Sequence, residues 1–185
     1  MRIISGTARG VALKTLAGTD VTRPTVARVK EGMFSAVQFM LPGARVLDAF
    51  AGSGQLGLEA LSRGADSCVF LDESRAACAV VRENAAAARL LPKARVVQTS
   101  AGSFLAGCTD TFHLVLLDPP YRHDTVPAIL PAVARVMAPG GVVLAETELG
   151  APLPETCGTL QLVKQYRYGT VLVTKYEVRA EGGPL

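Results

Sequence analysis

The sequence predicts an α/β protein with a mostly parallel sheet that ends in a C-terminal antiparallel hairpin. Strand and helix patterns alternate between residues 44 and 150, the connections between them are short, and two β-rich runs follow. A chain of 185 residues is the length of a single domain. We divide it into a basic N-terminal extension (1–43), a core domain (44–180) and a tail (181–185).

An amphipathic helix is predicted in the extension, because apolar residues recur there at steps of three and four: Val26, Val29, Met33, Val37 and Met40. Thr25 is expected to cap its N-terminus, and Leu41-Pro42-Gly43 to end it. The predicted core strands are 44–48, 67–72, 94–98, 112–118 and 141–146, with hairpin strands at 159–166 and 170–178. The predicted core helices are 55–63, 74–90, 101–106 and 125–137.

The net charge of +3 is unevenly distributed. Residues 1–47 carry seven basic and two acidic side chains, whereas residues 48–150 carry eight basic and eleven acidic ones. A basic front end on an acidic core suits a protein whose extension meets a polyanion while its core holds a small ligand. A solvated basic face explains the charge equally well.

Composition also excludes several classes of protein. The four cysteines are widely spaced without a C-x-x-C pair, so we expect reduced thiols and neither a disulfide framework nor a metal site. The N-terminus lacks the apolar region of a signal peptide, and no apolar run reaches the ~18 residues of a membrane span. We expect a soluble, cytoplasmic monomer without a membrane or metal partner.

The segment Asp118-Pro119-Pro120-Tyr121 is the first candidate site. It follows the apolar run 114–117, which suits a strand buried on both faces, so a carboxylate stands where this strand leaves the sheet. The two prolines lack an N–H and leave their carbonyls free as acceptors. A rigid, acceptor-rich turn beside an aromatic ring suits an amino group on a planar base. A plain strand-ending proline turn is the alternative.

A glycine-rich turn between the first core strand and its helix is the second candidate site. Gly52, Gly54 and Gly57 satisfy G-x-G-x-x-G, and Asp72 ends the next strand, where a carboxylate can hold the hydroxyls of a ribose. Asp48 lies just before the glycines, where it would repel a pyrophosphate but could accept from an amino group. Several carboxylates at one sheet edge therefore favour S-adenosylmethionine over NAD.

Taken together, these segments resemble the bacterial 16S rRNA guanine-N2 methyltransferases of the small-subunit methyltransferase D type. The resemblance rests on Arg23-Pro24-Thr25 with the following Arg28-Val29-Lys30-Glu31, on residues 46–65, on the D-P-P-Y segment and on Tyr168-Gly169. It implies a Rossmann-like class I S-adenosylmethionine-dependent fold and methylation of a guanine N2 in 16S rRNA, free or within the small subunit.

The resemblance also implies roles for individual residues. The predicted catalytic residues are Asp118, Pro119, Pro120 and Tyr121, with the ring of Tyr121 stacked on the target base. The predicted cofactor residues are Asp48, Phe50, Gly52, Gly54, Asp72 and Ser100, and the predicted RNA phosphate ligands are Arg23, Arg28 and Lys30. Ser100 stands where the family usually has Asp, and Asp72 where it has Glu, which weakens the expected grip on the cofactor.

Two other functions fit parts of the pattern. The same tetrapeptide could grip an adenine N6 in DNA or a protein amide, and a protein with a decayed cofactor pocket could serve as an RNA-binding assembly factor. We interpret Asn84 as a packing or capping residue, Glu146 as a residue that lines the crevice, His113 as a core residue and His123 as a loop residue.

Overall fold

The computed structural model describes residues 1–16, 24–120 and 124–179, with residues 24–26 described by their backbone. The helices are α1 (Pro24–Ser35), α2 (Gln55–Ser62), α3 (Arg75–Ala87), α4 (Ala101–Gly107) and α5 (Thr125–Arg135), with a 3₁₀ turn at Leu91–Lys93. The strands are β1 (Arg45–Asp48), β2 (Ser67–Asp72), β3 (Ala94–Gln98), β4 (Phe112–Leu117), β5 (Met137–Glu148), β6 (Thr156–Cys157), β7 (Leu160–Tyr168) and β8 (Val171–Val178).

One sheet contains all eight strands in the order β3-β2-β1-β4-β5-β8-β7-β6. The five strands from β3 to β5 pair in parallel, while β8, β7 and β6 add to the β5 edge in antiparallel fashion. The strand order reverses between β1 and β4, and open α/β sheets place their ligand sites at such a point. The predicted mixture of a parallel sheet and a C-terminal hairpin is confirmed.

Helices cover both faces of the sheet. Successive residues of a strand point to opposite faces, so the apolar central strands need a cover on each face. On one face, Val46, Leu116 and Leu144 pack with side chains from α1, α2 and α3. On the other face, Leu47 and Leu117 pack with side chains from α4 and α5. Apolar residues on both faces explain why the central strands appear in the sequence as continuous hydrophobic runs.

The predicted boundaries differ most from the structure at α1 and β5. Helix α1 begins at Pro24 and ends at Ser35, so Thr25 lies in its first turn and residues 36–40 form turns. Proline suits a first helical position, because that position needs no N–H donor. Strand β5 begins at Met137, four residues early, and its register with β4 shifts between Phe112 and Leu114.

The N-terminal segment is held on the core by backbone contacts. Residues 2 and 12 form an isolated antiparallel bridge, and the N–H of Thr7 donates to the carbonyl of Ser62 at the end of α2. Helix α1 packs against β7 and β8. Within the described ranges, no helix has the length and apolar character needed to cross a membrane.

Candidate active site

A cleft of about 1440 Å³ lies at the carboxyl ends of the parallel strands. Its lining includes nearly every predicted core site residue that the structure describes: Asp48, Phe50, Gly52, Asp72, Ser100, Asp118, Pro119 and Pro120. Cavities for one small ligand usually measure about 300–1,000 Å³. This cleft therefore has room for a cofactor and a second planar group beside it.

The glycine loop forms one wall of the cleft. Gly52 has a φ of +53° and faces open space, so no side chain lies between its backbone and a ligand. Gly54 does not line the cleft; it has a φ of +78°, caps the start of α2 and faces Val81. A Cβ on Gly57 would collide with the ring of Phe70, so this glycine lets α2 lie close against the sheet.

The carboxylate of Asp72 ties two loops together at the end of β2. Its Oδ2 accepts from the N–H of Gly52 at 2.9 Å, and its Oδ1 accepts from the N–H of Ser74 at 2.8 Å. A carboxylate offers about four lone-pair positions, so each oxygen can still accept from a ligand hydroxyl. These contacts hold both the glycine loop and the acceptor in place.

Asp48 is a buried carboxyl at the floor of the cleft, only 1% exposed. Its Oδ2 accepts from the N–H of Gly57 at 2.9 Å, whereas its Oδ1 has no partner among the described residues. Burial raises the pKa of Asp48 to about 7, and the hydrogen bond from the N–H of Gly57 opposes the rise. Gln55 also lines the cleft, and its Oε1 is buried without a partner among the described residues. Asp48 Oδ1 and Gln55 Oε1 can therefore both accept hydrogen bonds from a ligand.

Asp118 follows β4 directly, Glu146 lies near the end of the neighbouring strand β5, and both line the cleft. Burial raises the pKa of Asp118 to about 6. Burial also raises the pKa of Glu146 to about 8, and the charge of Asp118 adds to that rise. With Asp48, these residues form a row of carboxyls that a positively charged ligand, or one rich in hydrogen-bond donors, would stabilise.

Ser100 already has partners in its own helix. Its hydroxyl accepts from the N–H of Ser103 at 3.1 Å and lies 2.8 Å from the hydroxyl of Ser103, which caps the first turn of α4. The residue lines the cleft, but its hydroxyl oxygen already accepts a hydrogen bond within α4, which would compete with a hydrogen bond to a ligand. The predicted weakening of the contact at this position therefore has a second cause besides the loss of charge.

The predicted phosphate contact of Lys30 is wrong. Its side chain is 3% exposed, and its Nζ lies 3.2 Å from a carboxylate oxygen of Glu59 and donates to the carbonyl of Arg2 at 2.8 Å. Burial lowers the pKa of Lys30, and the Glu59 carboxylate opposes that shift. Arg28 on the same helix is exposed. Arg23, Tyr121 and His123 lie outside the described residues.

Glu59 is the centre of this buried group, and no sequence pattern pointed to it. The fully buried carboxylate accepts from the N–H groups of Ile4 and Ser5 at 2.8 and 3.0 Å. It also pairs with Arg63, whose Nε lies 2.9 Å away. The ion-pair group thus fastens the N-terminal segment and α1 onto α2, the helix that follows the glycine loop.

Asn84 connects the N-terminal segment to the glycine loop. Its Oδ1 accepts from the N–H of Lys14 at 2.8 Å, and its Nδ2 donates to the carbonyls of Lys14 and Ser53 at 3.0 and 2.9 Å. The predicted packing role is thus a specific one, because a buried amide on α3 joins two segments that line the cleft. In the sequence, the position of Asn84 on the second core helix resembles the family pattern, but no local pattern indicates these two partners.

Comparison with known proteins decides the family. Residues 1–177 match the family described as conserved hypothetical protein 95. The chain belongs to this family. A Bacillus subtilis relative, YlbH, is 39% identical over 184 residues, covering 97% of this chain and 100% of the relative. Ribosomal RNA small subunit methyltransferase D of Escherichia coli is 33% identical, covering 98% of this chain and 92% of the relative.

The fold of this family member also matches a solved structure. The Escherichia coli protein yhhF superposes with a TM-score of 0.87 at 33% identity, covering 98% of this chain and 99% of that one. The predicted resemblance and the class I methyltransferase fold are thereby confirmed, and the prediction of S-adenosylmethionine as cofactor agrees with them. Among the described residues of this family member, no His, Cys, Asp or Glu group could hold a metal ion.

Proposed function

We propose that this protein transfers a methyl group from S-adenosylmethionine to the exocyclic N2 of a guanine in 16S rRNA. The observation that carries the proposal is the row formed by Asp48, Asp118 and Glu146, which stands at the strand ends beside the glycine loop. The row offers acceptors for an amino group next to a cavity for the methyl donor. The Escherichia coli relative named as a small-subunit rRNA methyltransferase supports the choice of substrate.

The residues of the cleft fit the proposed cofactor. S-adenosylmethionine supplies a methyl group on a positively charged sulfur, together with an ammonium group and a ribose. The orphaned Oδ1 of Asp48 and Oε1 of Gln55 suit the donors and positive charge of such a ligand. Asp72 would hold the ribose hydroxyls, Gly52 would let the backbone approach, and Phe50 and Ser100 would border the adenine.

Asp118 and the carbonyl of Pro119 would hold the target amino group. A guanine amino nitrogen is a poor nucleophile, because its lone pair is delocalised into the ring. Acceptors around its two hydrogens favour a tetrahedral nitrogen and stabilise the positive charge that develops as the N–C bond forms. Asp118 has a pKa of about 6, so it is ionised at neutral pH and suited to this role.

The substrate would reach the cleft as an extruded base. Enzymes that act on a base turn it out of its stack and hold it against aromatic or apolar side chains. Tyr121 is predicted to provide that stacking surface, and Pro120 is exposed at the adjoining edge of the cleft. Arg28, exposed on α1, and Arg23 are the proposed phosphate ligands of the surrounding RNA.

The first test compares substrate classes. Purified protein is incubated with labelled S-adenosylmethionine and with rRNA, duplex DNA or total protein from cells that lack the gene. Label in rRNA alone is expected, whereas label in DNA or protein would favour the other amino-group substrates that this clamp could hold. Calorimetric titration with the cofactor separates a third case, because an assembly factor with a decayed pocket would show no binding at millimolar concentration.

A further inference from the structure

Glu146 belongs to the row of carboxyls in the cleft, but it has no role of its own in the proposed reaction. The parallel register pairs Leu117 of β4 with Ala145 of β5, so the next residues along the two strands are Asp118 and Glu146. Neighbouring strands lie about 4.8 Å apart, and residues two apart on a strand share a face. Leu116 and Leu144 pack in one core cluster, so Asp118 and Glu146 project from the same face of the sheet into the cleft.

No described residue donates a hydrogen bond to the carboxyl of Glu146 or forms an ion pair with it. The residue opposite Glu146 on β8 is Val173, and the nearby Lys175 is paired with Glu177 at 2.7 Å. Glu146 is half-buried and lines the cleft, so its carboxyl is accessible to a ligand that enters there. Its position beside Asp118 makes a contact with the same substrate group geometrically possible.

The charged groups around Glu146 favour its neutral form. The described acidic side chains that share the cleft with it are Asp48, Asp72, Glu73 and Asp118. Burial raises the pKa of Glu146 to about 8, and the charge of Asp118 adds to the rise. Two close carboxyls in one partly buried site favour a shared proton, because both cannot easily be charged at once. A neutral carboxyl is both a donor and an acceptor.

These properties match the Watson–Crick edge of guanine, which presents the N2 amino donor, the N1–H donor and the O6 acceptor in a row. We propose that Glu146 is a specificity-determining residue: its carbonyl oxygen accepts from guanine N1–H and its hydroxyl donates to O6, while Asp118 accepts from the N2 amino group. This inference rests on the proposed function and deepens it. Adenine offers an amino group and an unprotonated ring nitrogen but no O6, so it cannot complete the same three contacts.

The matched variants Glu146→Gln and Glu146→Ala test the inference. A glutamine amide retains a carbonyl acceptor and an N–H donor, so Glu146→Gln is expected to keep kcat/KM on rRNA within about tenfold of the wild-type value. Glu146→Ala removes both groups and is expected to lose at least about a hundredfold, because a site built around polar contacts discriminates strongly. Cofactor affinity, measured by calorimetry, should be unchanged in both variants and controls for folding.

The dependence of kcat/KM on pH distinguishes a role of Glu146 in base recognition from a purely structural role. In the wild type, kcat/KM should fall above about pH 8, as Glu146 loses the proton that it donates to O6. The Glu146→Gln variant should lack this fall in kcat/KM. A fall that arises from deprotonation of guanine itself should remain in both proteins. Loss of activity in Glu146→Gln as large as in Glu146→Ala, or identical pH profiles, would overturn the inference.

A base analogue gives an independent measurement. 2-Aminopurine keeps the amino group but lacks O6 and the N1–H, and ligation can place it at the mapped nucleotide of the rRNA. The wild type should prefer guanine at least tenfold, and Glu146→Ala should show no preference. Equal preference in both proteins would overturn the role of Glu146 alone. Absence of guanine methylation by the wild type would overturn the proposed function, and the role of Glu146 with it.

Discussion

The carboxyl of Asp48 accepts a hydrogen bond from the N–H of Gly57 through Oδ2, at 2.9 Å, while its Oδ1 stays buried without a described partner. This hydrogen bond joins the end of β1 to the first turn of α2 and leaves Oδ1 as an acceptor for a ligand. A buried carboxyl with an unpartnered oxygen lowers the free energy of unfolding. Burial raises the pKa of Asp48 to about 7 from an ordinary value of 3.8.

We expect Asp48→Asn to stabilise the ligand-free protein and to weaken cofactor binding. A carboxyl whose pKa is raised on folding binds more protons in the native state, so its contribution to stability falls as pH rises from about 4 to about 7. Asparagine does not titrate and keeps an acceptor for Gly57. The gain in unfolding free energy should therefore grow over this window to ~4 kcal/mol at pH 8. Urea unfolding at pH 4.5 and 8 checks this, and an equal gain at both pH values would contradict it.

Replacement of Asp118 by alanine should abolish most methyl transfer without changing cofactor affinity. The carboxylate is proposed to act on the amino group in the transition state, and loss of one such partner costs about 10²–10³ in kcat. Single-turnover assays measure the rate, and calorimetry measures the affinity. In the wild type, kcat/KM should rise with pH as Asp118 ionises near pH 6. Turnover at the wild-type rate in the variant would remove Asp118 from the mechanism.

Substitution of Lys30 should change the stability of the protein, whereas substitution of Arg28 should change its RNA binding. Lys30→Met leaves the buried Glu59 with one cation fewer and should lower the unfolding free energy by about 3–5 kcal/mol. Arg28→Ala changes an exposed residue and should alter stability by less than about 0.5 kcal/mol. The logarithmic salt slope of RNA affinity should fall by about 0.7–0.9 in Arg28→Ala.

Folded Lys30→Met protein, assayed at low temperature, should retain the wild-type salt slope. A reduced slope in this variant would show that Lys30 does reach phosphate. An unaltered slope in Arg28→Ala would instead limit Arg28 to a structural role.

Asn84→Asp should loosen the glycine loop. The substitution keeps the shape of the side chain but places an oxygen against the carbonyls of Lys14 and Ser53, to which Nδ2 now donates. Each buried acceptor that loses its donor costs about 1–3 kcal/mol, so both stability and cofactor affinity should fall. Glu83→Gln is the matched control, because Glu83 pairs with the same Lys14 on the surface and its loss should have little effect. Equal effects of the two variants would argue against a special role for Asn84.

Tyr121→Phe should keep most activity, whereas Tyr121→Ala should lose much of it. Stacking of a base on an aromatic ring contributes about 1–3 kcal/mol, and phenylalanine preserves the ring while alanine removes it. The comparison is made as kcat/KM on rRNA, with cofactor affinity as the control for folding. Equal damage in the two variants would contradict a stacking role.

Sequence patterns predict the sheet, the carboxylates Asp48, Asp72 and Asp118 at the strand ends, and the glycine turn, because these features are local. The apolar strands and the residues that follow them lie next to one another in the chain. The phosphate contact predicted for Lys30 is wrong because its charge interrupts the amphipathic pattern of α1 in the same way as a solvent-facing residue does. Its partner Glu59 lies on another helix, and only the packing of α1 near α2 brings the two charges together.

The roles of Asn84 and Glu146 depend in the same way on distant residues. Asn84 bonds to Lys14, seventy positions away, and no local pattern encodes such a contact. Glu146 lines the cleft as expected, but its proximity to Asp118 follows from the register between β4 and β5. The early start of β5 is not predictable from the sequence, because Pro139-Gly140-Gly141 is typical of a turn rather than a strand.

The central claim is tested most directly by mapping the product nucleoside. 16S rRNA from cells that lack the gene is incubated with purified protein and S-adenosylmethionine, digested, and analysed by mass spectrometry. The expected result is one N2-methylguanosine at a single position, formed at least about a hundredfold more slowly by the Asp118→Ala protein. Methylation of another base or another atom of guanine, or no methylation of free rRNA or of small subunits from the same cells, would contradict the account.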